Sequence, residues 1–160
     1  MARARGFDDL SAVRAAREIF WEHGYESTSL LQLQRATGLS RSSLYAAYGS
    51  KRGLFERASL NYLDEVIGPL LVPMEAPGAG VQTISAFFLA MAQATRSPEA
   101  RYARRGCFVL NTVLELEHLD TSATDMVSSY RARVHAAIAQ ALTSVESDAA
   151  TRSTRAEILT

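Results

Sequence analysis

The sequence predicts an all-α protein of one or two small domains. Apolar residues recur at three- and four-residue steps through most of the 160 residues, which is the spacing of one face of an α-helix. No segment alternates apolar and polar residues over a convincing strand length, and no internal repeat occurs. Because 48% of the residues are hydrophobic, the chain has enough apolar side chains for a compact core.

The composition argues against several classes of protein. No apolar run approaches the roughly 20 residues that a membrane span needs, and the segment MARARGFDDL lacks the apolar core of a secretory signal, so we expect a cytoplasmic protein. One cysteine cannot form an internal disulfide, and the three histidines share no metal-ligand spacing with it, so we expect no metal and no cofactor. Glu115 and Glu117 point to different sides of a helix, and no catalytic motif surrounds the histidines. We therefore do not expect an enzyme.

Two helices are predicted before residue 38. The first begins near Asp8, and Gly24 ends it. Its apolar face consists of Leu10, Val13, Ala16, Ile19 and Phe20. Ser29 and Gln32 have the spacing of a capping box, in which the two side chains accept backbone amides at the start of a helix. The second helix therefore begins directly after Ser29 and ends near Thr37.

A third short helix follows a glycine turn. Gly38 accepts the left-handed conformation that ends a helix, and Ser40 caps the next helix with its hydroxyl, so a helix is predicted from Ser40 to about Tyr48. Two helices joined in this way are typical of a helix-turn-helix motif. The outward residues of the third helix are Arg41, Ser42, Ser43 and Ala46 or Ala47. Small polar groups and one arginine suit a helix that enters a major groove, although a surface connector can have the same composition.

Charge is distributed unevenly, although the formal net charge is zero. Residues 1–57 contain nine Lys and Arg against six Asp and Glu, and residues 1–7 form a short basic arm. Residues 27–55 contain four basic residues and no acidic one. Lys51 and Tyr45 add donors for phosphate groups beside the third helix. The stretch favours a nucleic-acid-binding surface, although a small excess of basic residues is also ordinary for a domain of this size.

Residues 8–58 contain a set of separated sequence blocks, which are Phe20–Tyr25, Thr28–Ser29, Ala36–Ser40, Leu44–Lys51 and Leu54–Phe55. With these blocks, residues 8–58 resemble the N-terminal domain of the TetR family of transcriptional repressors. The resemblance implies a helix-turn-helix DNA-binding domain over residues 1–50, a connecting helix over 51–72 and a helical regulatory domain for ligand binding and dimerisation over 73–160. Two positions depart from the family pattern. Gln34 replaces a usual small Ala, and Ala46 replaces a bulkier residue that commonly contacts the DNA backbone.

The resemblance also implies which residues contact DNA. Backbone or phosphate contacts are expected from Thr28, Ser40, Tyr45 and Lys51, and base contacts from Arg41 and Ser42. Tyr48 is expected to pack the third helix onto the domain core. The full set of predicted DNA-binding residues is Thr28, Ser29, Ser40, Arg41, Ser42, Ser43, Tyr45, Ala46 and Lys51.

The remaining sequence is predicted to form further helices. An amphipathic helix begins at Ser50, and Gly68-Pro69 kinks or ends it because proline lacks an amide donor. Two prolines and two glycines predict a linker over residues 73–80. Later helices are expected over about residues 81–95, 99–117 and 122–145. The helix over 99–117 is expected to be buried on most sides, the segment SDAATRSTR to be turn-like, and Arg155 to begin another helix.

The resemblance implies an apolar cavity for a small-molecule effector in the regulatory half. Its predicted wall residues are Phe87, Phe88, Met91, Cys107, Leu110, Asn111, Leu114 and Tyr130. Packing in an ordinary core is the alternative for these residues. Arg104 and Arg105 precede Cys107, which makes the thiol either a sensor of electrophiles or a small core residue.

The function implied is a homodimeric repressor that leaves a palindromic double-stranded operator when a small molecule binds the helical domain. Members of the family usually continue with two helices that pair across the dimer, and this chain ends at Thr160, so we expect the dimer to be impaired or to use another surface. Two alternatives remain: a DNA-binding fragment or architectural protein without ligand control, and a protein-interaction module that has lost DNA binding.

Overall fold

The computed structural model describes residues 8–96, 105–115 and 121–160, and every regular element in these ranges is helical. The predicted all-α class is therefore confirmed. The α-helices are α1 Asp9–Ser27, α2 Leu30–Thr37, α3 Arg41–Tyr48, α4 Lys51–Tyr62, α5 Gly68–Glu75, α6 Val81–Arg96, α7 Phe108–Val113, α8 Thr121–Ala141 and α9 Ala149–Leu159. A π-helical turn over Leu63–Ile67 follows α4, and a 3₁₀ turn over Leu142–Ser144 follows α8.

The chain divides into two compact units. The first contains residues up to Leu63 together with Cys107–Ala123, and the second contains Asp64–Gly106 and Thr124–Thr160. Within the first unit, α7 packs against α1 and α4. This helix therefore lies with the helix-turn-helix segment, although it is distant from that segment along the chain.

Side-chain caps fix the boundaries of the first four helices. Asp8 Oδ1 accepts the amide of Leu10 at 3.2 Å and begins α1. The predicted capping box of α2 is confirmed: the amide of Gln32 donates to Ser29 Oγ at 3.2 Å, and the amide of Ser29 donates to Gln32 Oε1 at 2.8 Å. Gly38 ends α2 in the left-handed conformation, as predicted. Each cap satisfies an amide that has no partner inside its own helix.

An aromatic cluster forms the core of the first unit. The ring centroid of Phe55 lies 5.1 Å from that of Phe20 and 5.6 Å from that of Phe108, and the rings of Trp21 and Tyr62 are 4.9 Å apart. All five side chains are buried. Rings at these separations contribute more than their buried area alone, so the cluster ties α1, α4 and α7 together.

Two predictions about burial in this unit are wrong. Leu10, predicted on the inward face of α1, is 46% exposed, because it lies in the first turn before the helix reaches the core. The helix expected over residues 99–117 is α-helical only over Phe108–Val113 among its described residues, and residues 99–104 and 116–117 lie outside them. Its burial is one-sided: Phe108, Val109 and Thr112 are buried, whereas Leu110, Val113 and Leu114 are exposed.

The second unit has an aliphatic core. Ile67, Leu71, Met74, Ile84, Phe87, Val134, Ile138 and Leu142 are its largest buried apolar residues. The irregularity predicted near Gly68-Pro69 is a π-helical turn that ends directly before Gly68. Pro73, which was expected to begin the linker, lies inside α5. The turn-like prediction for SDAATRSTR is also wrong, because α9 begins at Ala149. Asp148 caps it by accepting the Thr151 amide at 2.7 Å, which turns a polar segment into a helix start.

Candidate nucleic-acid interface

Helix α3 presents one apolar residue to the core and its polar residues to the surface. Leu44 is buried, whereas Arg41, Ser42, Tyr45 and Ala46 are exposed. The exposed set coincides with residues that the sequence assigns to DNA. A helix of eight residues held by one buried leucine leaves its opposite face available to a groove.

A group of serine hydroxyls forms the N-terminus of α3. Ser40 Oγ accepts the amide of Ser43 at 3.1 Å and lies 2.9 Å from the hydroxyls of both Ser42 and Ser43. The structure thus brings together three of the predicted DNA-binding serines. Their hydroxyls fix the first turn of the helix and remain at or near the surface.

Arg41 and Tyr45 form a pair on the exposed face of α3. The guanidinium carbon of Arg41 lies 5.7 Å from the centroid of the Tyr45 ring, one helical turn further along. A contact of this kind orients the arginine and leaves its donor groups available. The pair therefore presents a cation and a phenol hydroxyl on the same side of the helix.

Lys51 lies at the start of α4, where it packs against the end of α1. Its Nζ is 4.5 Å from the centroid of the Tyr25 ring and donates to the Glu26 carbonyl oxygen at 3.4 Å. Partial burial lowers the pKa of Lys51, and the negative charges of Glu26 and Glu115 oppose that shift. The ammonium group is held in place by the last turn of α1 instead of extending freely into solvent.

Thr28 and Ser29 organise the turn between α1 and α2. Thr28 is only 1% exposed, and its hydroxyl donates to the Gly24 carbonyl oxygen at 2.6 Å. Ser29 is engaged in the capping box with Gln32. In this conformation the Thr28 side chain does not reach the surface, so we assign it to the turn and not to a phosphate contact.

Tyr48 anchors the end of α3 on α1. Its hydroxyl donates to Asp9 Oδ1 at 2.9 Å, and Arg57 on α4 forms an ion pair with Asp9 Oδ2 at 3.4 Å. This contact agrees with the packing role expected for Tyr48. It fixes the orientation of α3 relative to α1 and α4.

The sequence analysis missed one residue of this region. Glu115, directly after α7, accepts the backbone amide of Tyr25 at 2.7 Å through Oε2 and that of Glu26 at 3.4 Å through Oε1. Its partners are 90 and 89 residues away along the chain. Local spacing carries no signal for such a contact.

The predicted effector-binding residues fall into two groups, one in each unit. In the first unit, Asn111 and Leu114 line a cavity of about 260 Å³ together with Phe20, Trp21, Gly24, Tyr25, Phe55, Phe108, Thr112 and Glu115. Leu110 is exposed, and Cys107 is half-buried with its sulfur 3.6 Å from the Tyr62 hydroxyl.

The second group of predicted effector-binding residues consists of Phe87, Phe88, Met91 and Tyr130. The ring centroids of Phe87 and Phe88 are 5.3 Å apart, with Phe87 buried and Phe88 exposed. Met91 and Tyr130 are half-buried. Phe87 thus belongs to the aliphatic core of the second unit, and the other three lie nearer its surface.

Within residues 8–96, 105–115 and 121–160, no three His, Cys, Asp or Glu side chains are arranged to hold a metal ion. Over the same ranges, no helix combines the length and the apolarity that crossing a bilayer requires.

Comparison with known proteins identifies relatives of the helix-turn-helix region and of the fold. The family described as "Bacterial regulatory proteins, tetR family" matches residues 12–58. The HTH-type transcriptional regulator YezE of Bacillus subtilis (strain 168) is 37% identical over 115 residues, which cover 72% of this chain and 58% of the relative. The HTH-type transcriptional repressor ComR of Escherichia coli (strain K12) is 33% identical over 115 residues, covering 71% and 53%.

The fold is also similar to solved structures. A cysteine mutant of the TetR family transcriptional regulator CifR, complexed with 26bp double-strand operator DNA, matches 98% of this chain and 76% of its own, with a TM-score of 0.69 and 25% identity. This chain spans about half the length of the curated relatives it matches. Those relatives are named as transcriptional regulators or repressors and not as enzymes. Sequence blocks, capped helices and structural similarity agree, and the chain belongs to the TetR family of bacterial regulatory proteins.

Proposed function

We propose that the protein is a DNA-binding transcriptional regulator, and specifically a repressor that leaves its operator when a small molecule binds. The observation that carries the proposal is the exposed face of α3, where Arg41, Ser42 and Tyr45 project from a helix held by buried Leu44. The CifR structure contains operator DNA, and ComR is named as a repressor, which supports both the partner and the direction of regulation.

Base recognition is assigned to the first turn of α3. Ser42 and Ala46 are short, so the helix backbone can approach base edges closely in a major groove. Arg41 is long enough to donate two hydrogen bonds to guanine. Its contact with the Tyr45 ring already limits its side-chain conformations, so it loses less conformational entropy on binding. Sequence preference therefore depends chiefly on Arg41.

Phosphate binding is assigned to residues at the edges of the motif. Tyr45 contributes a hydroxyl, Ser40 and Ser43 lie at the N-terminus of α3, and Lys51 contributes a positive charge held beside Tyr25. Helix N-termini and cations both favour phosphate groups. These contacts give affinity that depends on salt and sets the register of α3 on the duplex.

A homodimer is proposed because a single α3 reads only half of a palindrome. Two copies would place their recognition helices about 34–36 Å apart, one turn of B-DNA. Exposed apolar side chains in the second unit, including Leu89 and Ile158, supply area that a second copy could cover. The two-fold operator would mirror the symmetry of the dimer.

Ligand control is proposed on the basis of the cavity beside α7. Half of its ten lining residues are aromatic, and Asn111, Thr112 and Glu115 add a few polar groups, which is the usual composition of a small-molecule site. An effector needs a coupling free energy of only about 1–3 kcal/mol to weaken operator binding substantially.

The DNA assignment is tested by selecting a duplex for the full chain and then measuring affinity by fluorescence anisotropy. The starting pool is random-sequence double-stranded DNA of about 30 base pairs, long enough for two half-sites. Lys51→Ala should weaken binding to all duplexes and reduce the slope of log affinity against log salt by about 0.9 per lost phosphate contact. Arg41→Ala should cost about 1–3 kcal/mol on the selected duplex and relax the preference at one position.

Arg131→Ala serves as a control for charge, because Arg131 is exposed on α8 in the second unit. It removes the same single positive charge and should leave both the salt slope and the base preference unchanged. The assignment is overturned if the Lys51 and Arg41 variants bind the selected duplex as wild type does.

A further inference from the structure

Glu115 makes a contact that links the end of α7 to the last turn of α1, after Gly24, in the first unit. Each of its carboxylate oxygens accepts one of two successive backbone amides, with Tyr25 N to Oε2 at 2.7 Å and Glu26 N to Oε1 at 3.4 Å. Hydrogen bonds to an ionised acceptor are about twice as strong as neutral ones. The shorter of the two has the length expected for such a bond.

The backbone around Gly24 creates the need for this acceptor. Gly24 has φ 78° and ψ 173°, which interrupts the helical path of α1 just before the two amides. Backbone amides that lose their helical partner require another acceptor when they are shielded from water. A Cβ atom placed on Gly24 would lie 2.6 Å from Glu115 Oε1, so a side chain at this position would displace the carboxylate from the two amides.

The same turn holds the lysine assigned to phosphate. The Tyr25 ring packs against Lys51 Nζ at 4.5 Å, and the Glu26 carbonyl oxygen accepts from Nζ at 3.4 Å. Thr28 closes the turn through its bond to Gly24. The two residues whose amides Glu115 binds are therefore the two that hold Lys51.

Building on the proposed function, we infer that Glu115 is a positioning residue for DNA binding, which holds the last turn of α1 so that Tyr25 and Glu26 present Lys51 to phosphate. The positioning role of Glu115 and its negative charge predict opposite changes in DNA affinity when the carboxylate is removed. A carboxylate near a phosphate-binding lysine repels DNA, so removing its charge would strengthen binding if charge alone mattered. The positioning role requires the opposite result.

The experiment uses the full chain and the duplex selected above, with Glu115→Ala and Glu115→Gln as the test variants. Glu115→Ala should weaken binding about tenfold and reduce the salt slope by about 0.9, the value of one phosphate contact. Glu115→Gln retains one oxygen acceptor for the Tyr25 amide and should bind within about threefold of wild type. Glu22→Gln, an exposed residue of α1, is the control for loss of one negative charge.

A double variant separates positioning from general stability. If Glu115 acts through Lys51, Glu115→Ala should have little further effect on affinity in a Lys51→Ala background. Hydrogen exchange of the Tyr25 and Glu26 amides, followed by NMR without DNA, should accelerate in Glu115→Ala and stay near wild type in Glu115→Gln. Circular dichroism and the fluorescence of Trp21 establish that each variant is folded.

Three outcomes would overturn the inference. The first is unchanged or stronger binding by a folded Glu115→Ala variant. The second is a loss of DNA affinity in the double variant that equals the sum of the losses in the two single variants. The third is unchanged hydrogen exchange at the Tyr25 and Glu26 amides of Glu115→Ala. Each of them leaves the proposed function intact, provided that wild type binds the duplex with the Arg41 and Lys51 effects described. A wild-type chain that selects no duplex would overturn the proposed function and this inference together.

Discussion

The two units differ in how their helices and cores are specified. In the first unit, Asp8, Ser29, Ser40 and Ser50 cap four successive helices, and the core is a cluster of aromatic rings. In the second unit, the core is mainly aliphatic, and α5 has no side-chain cap, although Asp148 caps α9. Capping hydrogen bonds and contacts between aromatic rings have preferred directions, so they restrict local geometry more tightly than aliphatic packing does. This difference agrees with the assignment of the first unit to DNA recognition, which needs fixed side-chain positions.

The comparison is tested most strongly by truncating one phenylalanine in each unit. Phe55 is 2% exposed and contacts the rings of Phe20, Tyr25 and Phe108, whereas Phe88 is 39% exposed. Phe55→Ala should lower the free energy of unfolding by about 3–5 kcal/mol. Phe88→Ala should lower it by less than about 1 kcal/mol, because a partly solvated ring loses little transfer energy.

Urea unfolding followed by Trp21 fluorescence measures this effect, because Trp21 is the one tryptophan of the sequence and packs on Tyr62 in the first unit. Far-UV circular dichroism follows all the helices in parallel. Equal losses for the two variants would contradict the difference in burial between Phe55 and Phe88.

A second test places the same methyl group on a glycine of each unit. A Cβ atom on Gly53 would come closer than 3.0 Å to the Tyr48 carbonyl oxygen, which is backbone and cannot easily move. A Cβ atom on Gly80 would lie 3.2 Å from the ends of the Gln82 and Ser144 side chains, which can. Gly53→Ala should therefore cost about 1–3 kcal/mol, and Gly80→Ala about 0.5 kcal/mol or less.

The Gly53 substitution should also affect DNA, since it pushes the end of α3 away from α4. Urea unfolding measures the stability of both variants, and anisotropy with the selected duplex measures their affinity. Weaker operator binding by Gly80→Ala than by Gly53→Ala would show that α3 is not fixed by the close approach of Tyr48 to Gly53.

The first unit could be predicted from sequence because its signals are local. The capping box of Ser29 and Gln32, the turn at Gly38 and the cap at Ser40 each lie within a few residues of the structure they specify. The exposure of Arg41 and Ser42 follows from the burial of Leu44 on the opposite face. In the second unit, Asp148 is also a local cap, but the polar residues after it carry no apolar period strong enough to indicate α9.

Long-range contacts account for what the sequence did not predict. Nothing near Glu115 indicates that its carboxylate accepts amides 89 and 90 residues earlier. Lys51 packs on Tyr25, and Thr28 is buried, because both residues contact the end of α1. The sequence predicts both residues as DNA contacts, because it does not show these internal partners. Residue type predicts the chemistry of a site, whereas tertiary contacts decide which groups remain available to a ligand.

The smallest predicted effect concerns an ion pair of the second unit. Arg133 donates to Glu75 through two nitrogens, at 2.7 Å to Oε1 and 3.0 Å to Oε2. These hydrogen bonds from Arg133 hold the pKa of Glu75 below its usual 4.5. A carboxyl with a lowered folded pKa stabilises the protein above its unfolded pKa, and the contribution is lost as the pH falls through the folded value.

Glu75→Gln should therefore lower the free energy of unfolding at neutral pH, and its difference from wild type should disappear in acid below the folded pKa. Both partners are partly solvated, which limits the neutral-pH loss to a few tenths of a kcal/mol, about 1 kcal/mol at most. Glu157→Gln is the matched control, because Glu157 accepts one 2.8 Å bond from Arg131, its other oxygen lies 4.0 Å from His135 Nε2, and the side chains of the Arg131–Glu157 pair are more exposed. Urea unfolding by circular dichroism at neutral and acid pH measures both variants. A Glu75→Gln difference that persisted in acid would mean that the two-nitrogen contact stabilises the second unit through packing instead of charge.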